Sequence, residues 1–476
     1  MPNIRSFALC AAVVCAPPTA AAQTLPPPDQ QKLAREIMQE LIEINTTEAN
    51  GSTPAAEALA ARFRAAGFGD TDVLLVGPHP QHLNLVVRYR GNAKSAARPI
   101  LFIAHLDVVE ARREDWSMDP FKLTEKDGYF YGRGTSDIKD EVADLASNFI
   151  RLKREGFVPA RDMMLAFTDD EEGGDFNGAE WLVANRRDLV DVAYVINVDA
   201  AGGQLKDGKH LRNPVQTSEK LYVTYTMEVV NAGGHSSMPV PDNAIYRLAR
   251  GLERLSHFEF PARLNETTRA YFKAIAGQEP GQVGADLASI ARSKPDPRAI
   301  ARLGASPFYH AMMRNTCVAT MLQAGHAENA LPQRARATIQ CRLLPGEEPD
   351  SVRRTLQRVV SDTQIAVTMA NVPNPSPASP VDPEIMEPVR RITAEMWPGA
   401  VVLPVMDPWS TDGLHFRRAG IPVYGVSAVF IDVDDSRAHG RDERVGVKEF
   451  YEGVEFMYRL IQSLPGPSPP RPPSAG

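Results

Sequence analysis

The amino-acid sequence predicts an α/β protein in which a mostly parallel sheet is interrupted by a smaller, inserted α+β domain. Three observations support this fold class. Short apolar runs alternate with segments of helical periodicity as far as Asp199, which is typical of a parallel sheet covered by helices. Near residue 219 the pattern changes to half-exposed strands, and α/β character returns after a Pro-rich segment at 372–380. The chain of 476 residues is also long enough for two domains.

The first part of the chain alternates between predicted helices and predicted strands. Apolar residues after Asp137 recur at spacings of four and three, so they share one face of a helix that Gly156 ends. The predicted helices of this part cover residues 29–41, 57–66 and 138–155, and the predicted strands cover 83–90, 100–104, 163–168 and 192–198. This order favours a sheet with helices on its faces.

The middle of the chain has the order strand-helix-strand-strand-helix-strand, which is that of a ferredoxin-like domain. These six elements are predicted at residues 220–230, 242–255, 316–324, 334–343, 349–361 and 364–370. A polar, partly helical insertion at 261–314 separates the first helix from the second strand. The α/β pattern then returns with a helix at 384–396, a strand at 421–426 and a last helix at 447–464. We therefore assign 23–218 and 372–464 to a large domain, and 219–371 to a domain inserted in it.

Both ends of the chain are predicted to lie outside the fold. Residues 1–22 contain Arg5, an apolar stretch too short to span a bilayer, and the small residues Ala20, Ala21 and Ala22 at a cleavage position. We expect a cleaved signal peptide and a periplasmic or secreted mature protein. Residues 465–476 form a Pro- and Ser-rich tail that we expect to be disordered.

The net charge limits the possible binding partners, and the cysteine content bears on disulfide formation. The formal net charge is −7, and loss of Arg5 with the signal peptide makes it more negative, which argues against nucleic acid or an anionic membrane as a partner. Cys317 and Cys341 remain after cleavage. A disulfide between them is possible in an oxidising compartment, but we favour two buried thiols, since two cysteines make no scaffold.

Acidic residues and one histidine follow the predicted strands at the point where each strand ends. Ligands of open α/β sheets bind in the crevice at the carboxyl ends of the strands, so these side chains are expected to converge. The residues at the strand ends, with the acid that opens the helix at 138–155, are His105, Asp107, Asp137, Asp169, Asp170, Glu171, Glu172 and Asp199. Such a set indicates a site for two metal ions.

The ligand types allow roles to be assigned. Zinc binds histidine nitrogen and carboxylate oxygen, and a catalytic zinc keeps one position open for water. Two metal ions about 3.5–4 Å apart need a bridging carboxylate, and Asp137 is the natural bridge because it lies between two strands. His105 and Asp199 are the expected further ligands of one ion. Glu172 and a distant histidine are those of the other, and His439 suits this place because it precedes the final helix in a loop.

Two acids beside the ligands have other expected roles. Asp107 lies two residues from His105 in an extended segment, so it points to the same side and can orient the imidazole. Glu171 faces away from Glu172 and suits the general base that takes a proton from the attacking water. Histidines without comparable context are expected at surface or structural positions, and they are His79, His82, His210, His257, His310 and His326.

These motifs resemble the co-catalytic zinc aminoacylase/carboxypeptidase family, which includes glutamate carboxypeptidase, dipeptidases, aminoacylase and succinyl-diaminopimelate desuccinylase. The matching segments lie between residues 30 and 464, and they are His105-Leu106-Asp107, Gly132 to Asp137, Asp170-Glu171-Glu172, Asp199, Gly234-His235 with Asn243, and Ala438-His439-Gly440. The resemblance implies a zinc domain with an inserted ferredoxin-like dimerisation domain. It also implies a homodimer with two Zn²⁺ per subunit, for which Co²⁺ or Mn²⁺ are possible substitutes.

The resemblance also implies the role of each matching residue. The metal ligands would be His105, Asp137, Glu172, Asp199 and His439, with Asp137 as the bridge, Glu171 as the general base and Asp107 as the orienting acid. His235 resembles a histidine that reaches across the dimer to stabilise the tetrahedral oxyanion. Arg342 and Asn329 resemble positions that hold the carboxylate or carbonyl of the substrate, and a guanidinium suits a carboxylate bidentately.

From these residues we expect a dinuclear zinc hydrolase of amide bonds, namely a carboxypeptidase or dipeptidase acting on small peptides with a free C-terminal carboxylate. The alternative within enzymes is an N-acyl amino acid deacylase using the same machinery. A metal-dependent binding protein without turnover is the non-enzyme alternative, and the presence of Glu171 argues against it because a binder needs no base. The segment 411–413 with His415 is equally compatible with lining the substrate or with no role, and Trp116 and Trp409 are expected in the core or at the rim.

Overall fold

The computed structural model of the protein describes residues 25–92, 95–371, 376–427 and 429–464. The predicted signal peptide (1–22) and the predicted tail (465–476) lie outside these residues, as does part of the Pro-rich linker. None of the helices described is both long enough and apolar enough to cross a membrane.

The described residues form the following elements in chain order. The α-helices are α1 (Pro28–Glu43), α2 (Thr53–Ala65), α3 (Lys139–Glu155), α4 (Gly178–Asn185), α5 (Arg187–Val190), α6 (Ala244–Ser256), α7 (Glu266–Ile275), α8 (Gly281–Ile290), α9 (Pro297–Leu303), α10 (Pro307–Met313), α11 (Pro349–Val360), α12 (Pro383–Met396), α13 (Gly413–Arg418) and α14 (Val447–Ser463). The strands are β1 (Val73–His79), β2 (His82–Tyr89), β3 (Ile100–His105), β4 (Thr124–Lys126), β5 (Tyr129–Tyr131), β6 (Met163–Thr168), β7 (Val195–Asn197), β8 (Gly203–Lys206), β9 (Lys209–Arg212), β10 (Val215–Glu219), β11 (Leu221–Val230), β12 (Gly234–His235), β13 (Thr316–Ala324), β14 (Ala330–Leu331), β15 (Arg334–Leu343), β16 (Ala366–Met369), β17 (Pro404–Asp407), β18 (Val423–Gly425), β19 (Phe430–Asp432) and β20 (Arg444–Gly446).

Eight strands form the large sheet, in the order β1-β2-β6-β3-β7-β18-β10-β17. Strand β3 lies between β6 and β7 and is parallel to both, and β18 continues the parallel arrangement beside β7. Strands β1 and β2 are antiparallel additions at one edge. The mostly parallel sheet is therefore confirmed, and the carboxyl ends of β3, β6 and β7 point to the same edge.

Helix α3 shows why the sequence pattern predicts this core. The apolar face begins with Val142 and ends with Leu152, and it is fully buried in the main core together with residues of α1 and α14. Gly156 follows the helix with a φ of 70°, a left-handed conformation that glycine adopts without steric cost. At its other end the helix starts two residues after Asp137. Burial of the helix in the core therefore holds this aspartate near the sheet.

The second sheet has the order β13-β15-β11-β16, in which β11 pairs antiparallel with both β15 and β16. Helices α6 and α11 pack on one face and supply Leu248 and Leu356 to a separate core. This is the ferredoxin-like order that the sequence predicts, and the fold class is confirmed. The domain boundaries drawn from the sequence stay predictions.

Helices α7 to α10, which form the insertion at 261–314, pack away from the ferredoxin-like sheet. Their apolar residues, among them Phe272 and Leu287, share a core with Leu403, Val405 and Met406 from the edge of the large sheet. This placement carries aromatic residues of the insertion to the wall of the large cavity described below.

The interpretation of Cys317 and Cys341 as two thiols is wrong, because the structure joins them in a disulfide. The two residues lie directly opposite each other on the neighbouring antiparallel strands β13 and β15. Side chains at opposite positions of such a pair are neighbours, and this proximity depends on the strand register.

Candidate active site

The strand ends bring the predicted residues to one place. His105 is the last residue of β3 and lies beside Thr168, the last residue of β6, in the parallel pair. The loop from Asp169 to Asn177, called here the Glu171 loop, starts where β6 ends, and Asp199 follows β7 by two residues. The site is therefore built at the carboxyl edge of the large sheet, as expected for an open α/β sheet.

One group of potential ligands contains His105, Asp137 and Asp199. The His105 Nε2 atom lies 3.3 Å from Asp137 Oδ1 and 4.0 Å from Asp199 Oδ2. This nitrogen is buried and has no hydrogen-bond partner among the residues that the structure describes. With the nitrogen deprotonated, its lone pair would face two carboxylates, and a cation bound between them removes this repulsion.

A second group contains His439, Asp137 and Glu172. The His439 Nε2 atom lies 3.0 Å from Asp137 Oδ2 and 2.8 Å from Glu172 Oε1. Asp137 thus presents one carboxylate oxygen to each group, which is the geometry of a bridging ligand. Each group contains one histidine and two carboxylates, with ligand atoms within 4.8 Å of one another. The donor set fits two divalent cations that share one carboxylate.

Asp107 contacts more than the His105 imidazole that the sequence predicts it to orient. Its carboxylate accepts hydrogen bonds from the backbone N–H groups of Glu171 (3.2 Å) and Glu172 (2.8 Å). The His105 Nδ1 atom is 3.0 Å from the Asp107 carbonyl oxygen and 3.5 Å from its carboxylate. Donation from Nδ1 leaves Nε2 with a lone pair for a metal. Asp107 therefore orients both the imidazole and the backbone that carries Glu171.

Glu171 lies at the wall of the cavity beside the two ligand groups. Burial, with the negative charge of Asp199 as a smaller cause, raises the pKa of the Glu171 carboxyl well above its usual range. A carboxylate with a raised pKa accepts a proton more readily, and this is the property that a general base needs.

Glu443 supports the loop that leads into Asp137, and sequence reasoning did not assign it a role. Its fully buried carboxylate pairs with Arg133 Nη1 at 2.5 Å and accepts hydrogen bonds from the backbone N–H groups of Gly134 (3.2 Å) and Ser136 (2.8 Å). The feature of the sequence that could have pointed to Glu443 is its position four residues after His439. The segment that carries His439 thus also holds the loop that leads into Asp137.

The ligand groups open into a cavity of about 1630 Å³. Asp137, Glu171, Glu172, Asp199 and His439 line it. The segment 411–413 contributes Thr411 and Asp412, and His415 and Trp409 also face the cavity. Trp116 is buried elsewhere, 5.1 Å from the guanidinium of Arg133. The 411–413 segment therefore belongs to the site.

Arg342 lies in the wall of the same cavity, although it comes from the ferredoxin-like sheet. Its guanidinium lies 4.7 Å from the centre of the Tyr222 ring. Within the described ranges, no carboxylate forms an ion pair with it. Burial lowers the pKa of the Arg342 guanidinium because it removes water from the charged group. A negatively charged partner would compensate for this loss of hydration.

His235 and Asn329 lie together, but away from the ligand groups. His235 pairs with Ala330 on the short ribbon of β12 and β14, and the Ser236 N–H donates to the Asn329 carbonyl at 3.1 Å. Both residues are exposed, and within the described part of a single chain neither lines the cavity. A single chain therefore does not bring these two residues to the metal ligands.

Comparison with known proteins gives a consistent family. Residues 101–463 match peptidase family M20/M25/M40. The chain is 30% identical over 374 residues to the N-fatty-acyl-amino acid synthase/hydrolase PM20D1 of Xenopus tropicalis, with 77% of this chain and 72% of that protein covered. It is 28% identical over 389 residues to the probable carboxypeptidase S-like 2 of Dictyostelium discoideum, with 80% and 74% covered.

Solved structures share the fold. The M20 family metallo-carboxypeptidase Sso-CP2 from Sulfolobus solfataricus superposes with a TM-score of 0.68 at 18% identity, covering 91% of this chain and 99% of that chain. Human carnosine dipeptidase 1 superposes with a TM-score of 0.64 at 16% identity, covering 92% and 97%. Together with the two ligand groups, these matches show that the chain belongs to peptidase family M20/M25/M40 and is a metal-dependent hydrolytic enzyme.

Proposed function

We propose that the protein is a dinuclear zinc amidohydrolase that releases an amino acid with a free carboxylate, acting as a carboxypeptidase or dipeptidase. One observation carries this proposal. Two ligand groups share Asp137 beside Glu171, in a cavity whose wall also contains Arg342 without a carboxylate partner in the described chain. The arrangement combines a metal centre, a base and a cation for the substrate.

Each residue of the site has a distinct task in amide hydrolysis. The two ligand groups would hold divalent cations, which would polarise the amide carbonyl and lower the pKa of water so that hydroxide is available near neutral pH. Glu171 takes the proton from the attacking water and returns it to the leaving amine. Asp107 holds Glu171 in place through the backbone N–H groups, and Arg342 binds the carboxylate of the leaving amino acid.

A deacylase of N-acyl amino acids is a second candidate, and the cavity wall favours it. Trp409 (48% exposed) and Phe308 (37% exposed) are large apolar side chains that face the cavity without being buried by the protein itself. Such surfaces suit an apolar acyl group. One relative is named as an N-fatty-acyl-amino acid synthase/hydrolase, which supports the same substrate class.

A homodimer and an exported location are part of the proposal. Strand β13 forms an edge of its sheet, and Val318, Met321 and Leu322 on it are exposed, which is typical of an interaction surface. His235 of the partner subunit would then supply an oxyanion donor. The disulfide supports an oxidising compartment.

A substrate panel tests the proposed function. The mature chain, loaded with zinc, is assayed with free dipeptides, C-terminally amidated dipeptides, and short-chain and long-chain N-acyl amino acids. We expect hydrolysis of substrates with a free carboxylate and slow or no hydrolysis of the amidated ones. Preference for long acyl chains would favour the deacylase. Equal rates on free and amidated dipeptides would contradict the role of the carboxylate.

Replacement of Arg342 by alanine is expected to raise KM for these substrates about 10- to 100-fold, with a smaller effect on kcat. A charge-assisted hydrogen bond contributes about 1.5–3 kcal/mol, and alanine removes it. Steady-state kinetics of the Arg342→Ala and Arg342→Lys variants measure the effect, with lysine expected to recover part of the binding. The amidated dipeptide is the matched control, since its weak turnover should be the same in all three proteins. An unchanged KM for the free dipeptide would exclude Arg342 from carboxylate binding.

A further inference from the structure

The Glu171 loop, residues 169–177, is held at both of its ends by one buried carboxylate from a distant part of the chain. Asp412 lies just before α13 and is 4% exposed. Its Oδ2 atom accepts a hydrogen bond from Thr168 Oγ1 at 2.7 Å, and its Oδ1 atom accepts one from Asn177 Nδ2 at 2.8 Å. Thr168 is the last residue of β6, and Asn177 caps the N-terminus of α4. One side chain thus closes the loop that carries both Glu171 and Glu172.

Asn177, the partner of Asp412 at the far end of the loop, makes further hydrogen bonds through its side chain. Besides the bond to Asp412, the Asn177 amide donates to the Asp170 carbonyl at 3.1 Å. Its side-chain oxygen accepts the Glu180 N–H at 2.8 Å, which fixes the first turn of α4. The Asn177 side chain therefore has one orientation that satisfies all three contacts. This orientation fixes the position of Asp412 relative to the loop.

The first residues of the loop are held from the opposite side. Asp169 accepts hydrogen bonds from the Ser52 N–H at 3.1 Å and the Ser52 hydroxyl at 2.5 Å, and it contacts His82 Nδ1 at 2.9 Å. These contacts fix the first residue of the loop, Asp169, and Asp412 fixes the last one, Asn177.

We propose that Asp412 is a positioning residue, which sets the place of the Glu171 carboxylate through its hydrogen bonds to Thr168 and Asn177. This inference rests on the proposed function, in which Glu171 is the base. Residues that orient catalytic groups typically change activity about 10- to 100-fold when removed, and displacement by about 1 Å is enough for such a loss.

The pair Asp412→Ala and Asp412→Asn separates positioning from charge. Alanine removes both hydrogen bonds. Asparagine keeps both, because its oxygen still accepts from Asn177 while its amide donates to Thr168 Oγ1, whose own hydrogen can turn to the Ala104 carbonyl at 3.2 Å. We expect kcat of the alanine variant to fall about 10- to 100-fold. Its KM should change by less than about threefold, and both metal ions should stay bound. The asparagine variant should keep kcat within about threefold of the unmodified protein.

Any one of three results would overturn the inference. An alanine variant with unchanged kcat would show that the contacts are not needed, and an asparagine variant as slow as alanine would show that charge, not positioning, matters. Loss of metal from the alanine variant at saturating zinc would also contradict it, since the role would then be metal retention. The Glu171→Ala variant is measured in parallel. If it is active, the proposed function fails, and if it is inactive while Asp412→Ala is normal, only this inference fails.

A second pair of variants covers the case in which Asp412→Ala does not fold. Thr168→Val keeps the shape of the side chain but removes the donor to Asp412, and Thr168→Ser keeps the hydroxyl. We expect kcat to fall about tenfold with valine, the low end of the range for an orienting contact, and to stay near normal with serine. Equal kcat values for the two variants would reject the positioning role.

Discussion

Replacement of Glu171 by alanine is expected to lower kcat about 100- to 10,000-fold, the range that a positioned general base typically contributes. The reason is that Glu171 lines the cavity beside the two ligand groups and takes no part in either of them. Because the residues of both ligand groups are unchanged in this variant, metal binding should not change. Steady-state kinetics on a free dipeptide and metal analysis of the same sample measure both quantities.

Glu171→Gln is the matched control for this loss. Glutamine keeps the size and the hydrogen-bonding capacity of the side chain but cannot accept the proton, so it should be as slow as alanine. Activity within a few fold of the unmodified protein in either variant would contradict the base assignment. Loss of metal together with activity would instead place Glu171 among the ligands.

The second large effect concerns the shared carboxylate. We expect Asp137→Ala to lose both metal ions, whereas His439→Ala loses only one. Asp137 contributes an oxygen to each ligand group, 3.3 Å from His105 Nε2 and 3.0 Å from His439 Nε2, while His439 belongs to one group only. Removal of a ligand that serves both ions weakens both sites. Metal content per chain after dialysis, measured by atomic emission, gives the two stoichiometries.

His415→Ala is a suitable control, because His415 faces the same cavity but belongs to neither ligand group. It should retain two ions per chain. Equal stoichiometries for Asp137→Ala and His439→Ala would show that Asp137 is not shared, and the two-metal account would need a different bridge.

The sequence predicts the parts of the site that local rules determine. His105, Asp199 and the acids before Glu172 follow apolar strands, and parallel strands end at the same edge of a sheet, so their convergence could be predicted without a structure. The periodicity of α3 likewise predicts the face that packs against the sheet, and Asp137 lies two residues before this helix. These inferences need only the period of the pattern and the direction of the strands.

Contacts between distant segments could not be predicted in this way. Strand β10 has the sequence Val-Gln-Thr-Ser-Glu and is buried throughout, so it lacks the apolar pattern of a buried strand. Two of its polar side chains bind a tertiary partner: Arg417 pairs with Glu219 at 2.8 Å and donates to Gln216 at 2.7 Å. The disulfide of Cys317 and the roles of Asp412 depend in the same way on register and on long-range packing.

A zinc titration of the metal-free mature protein tests whether activity requires two bound ions. Hydrolysis of a free dipeptide and of an N-acyl amino acid is followed as zinc is added, with bound metal counted in each sample. We predict no turnover without metal and full turnover when two ions are bound per chain. Full turnover in the metal-free protein, or saturation of activity at one bound ion, would contradict a two-metal centre built on Asp137.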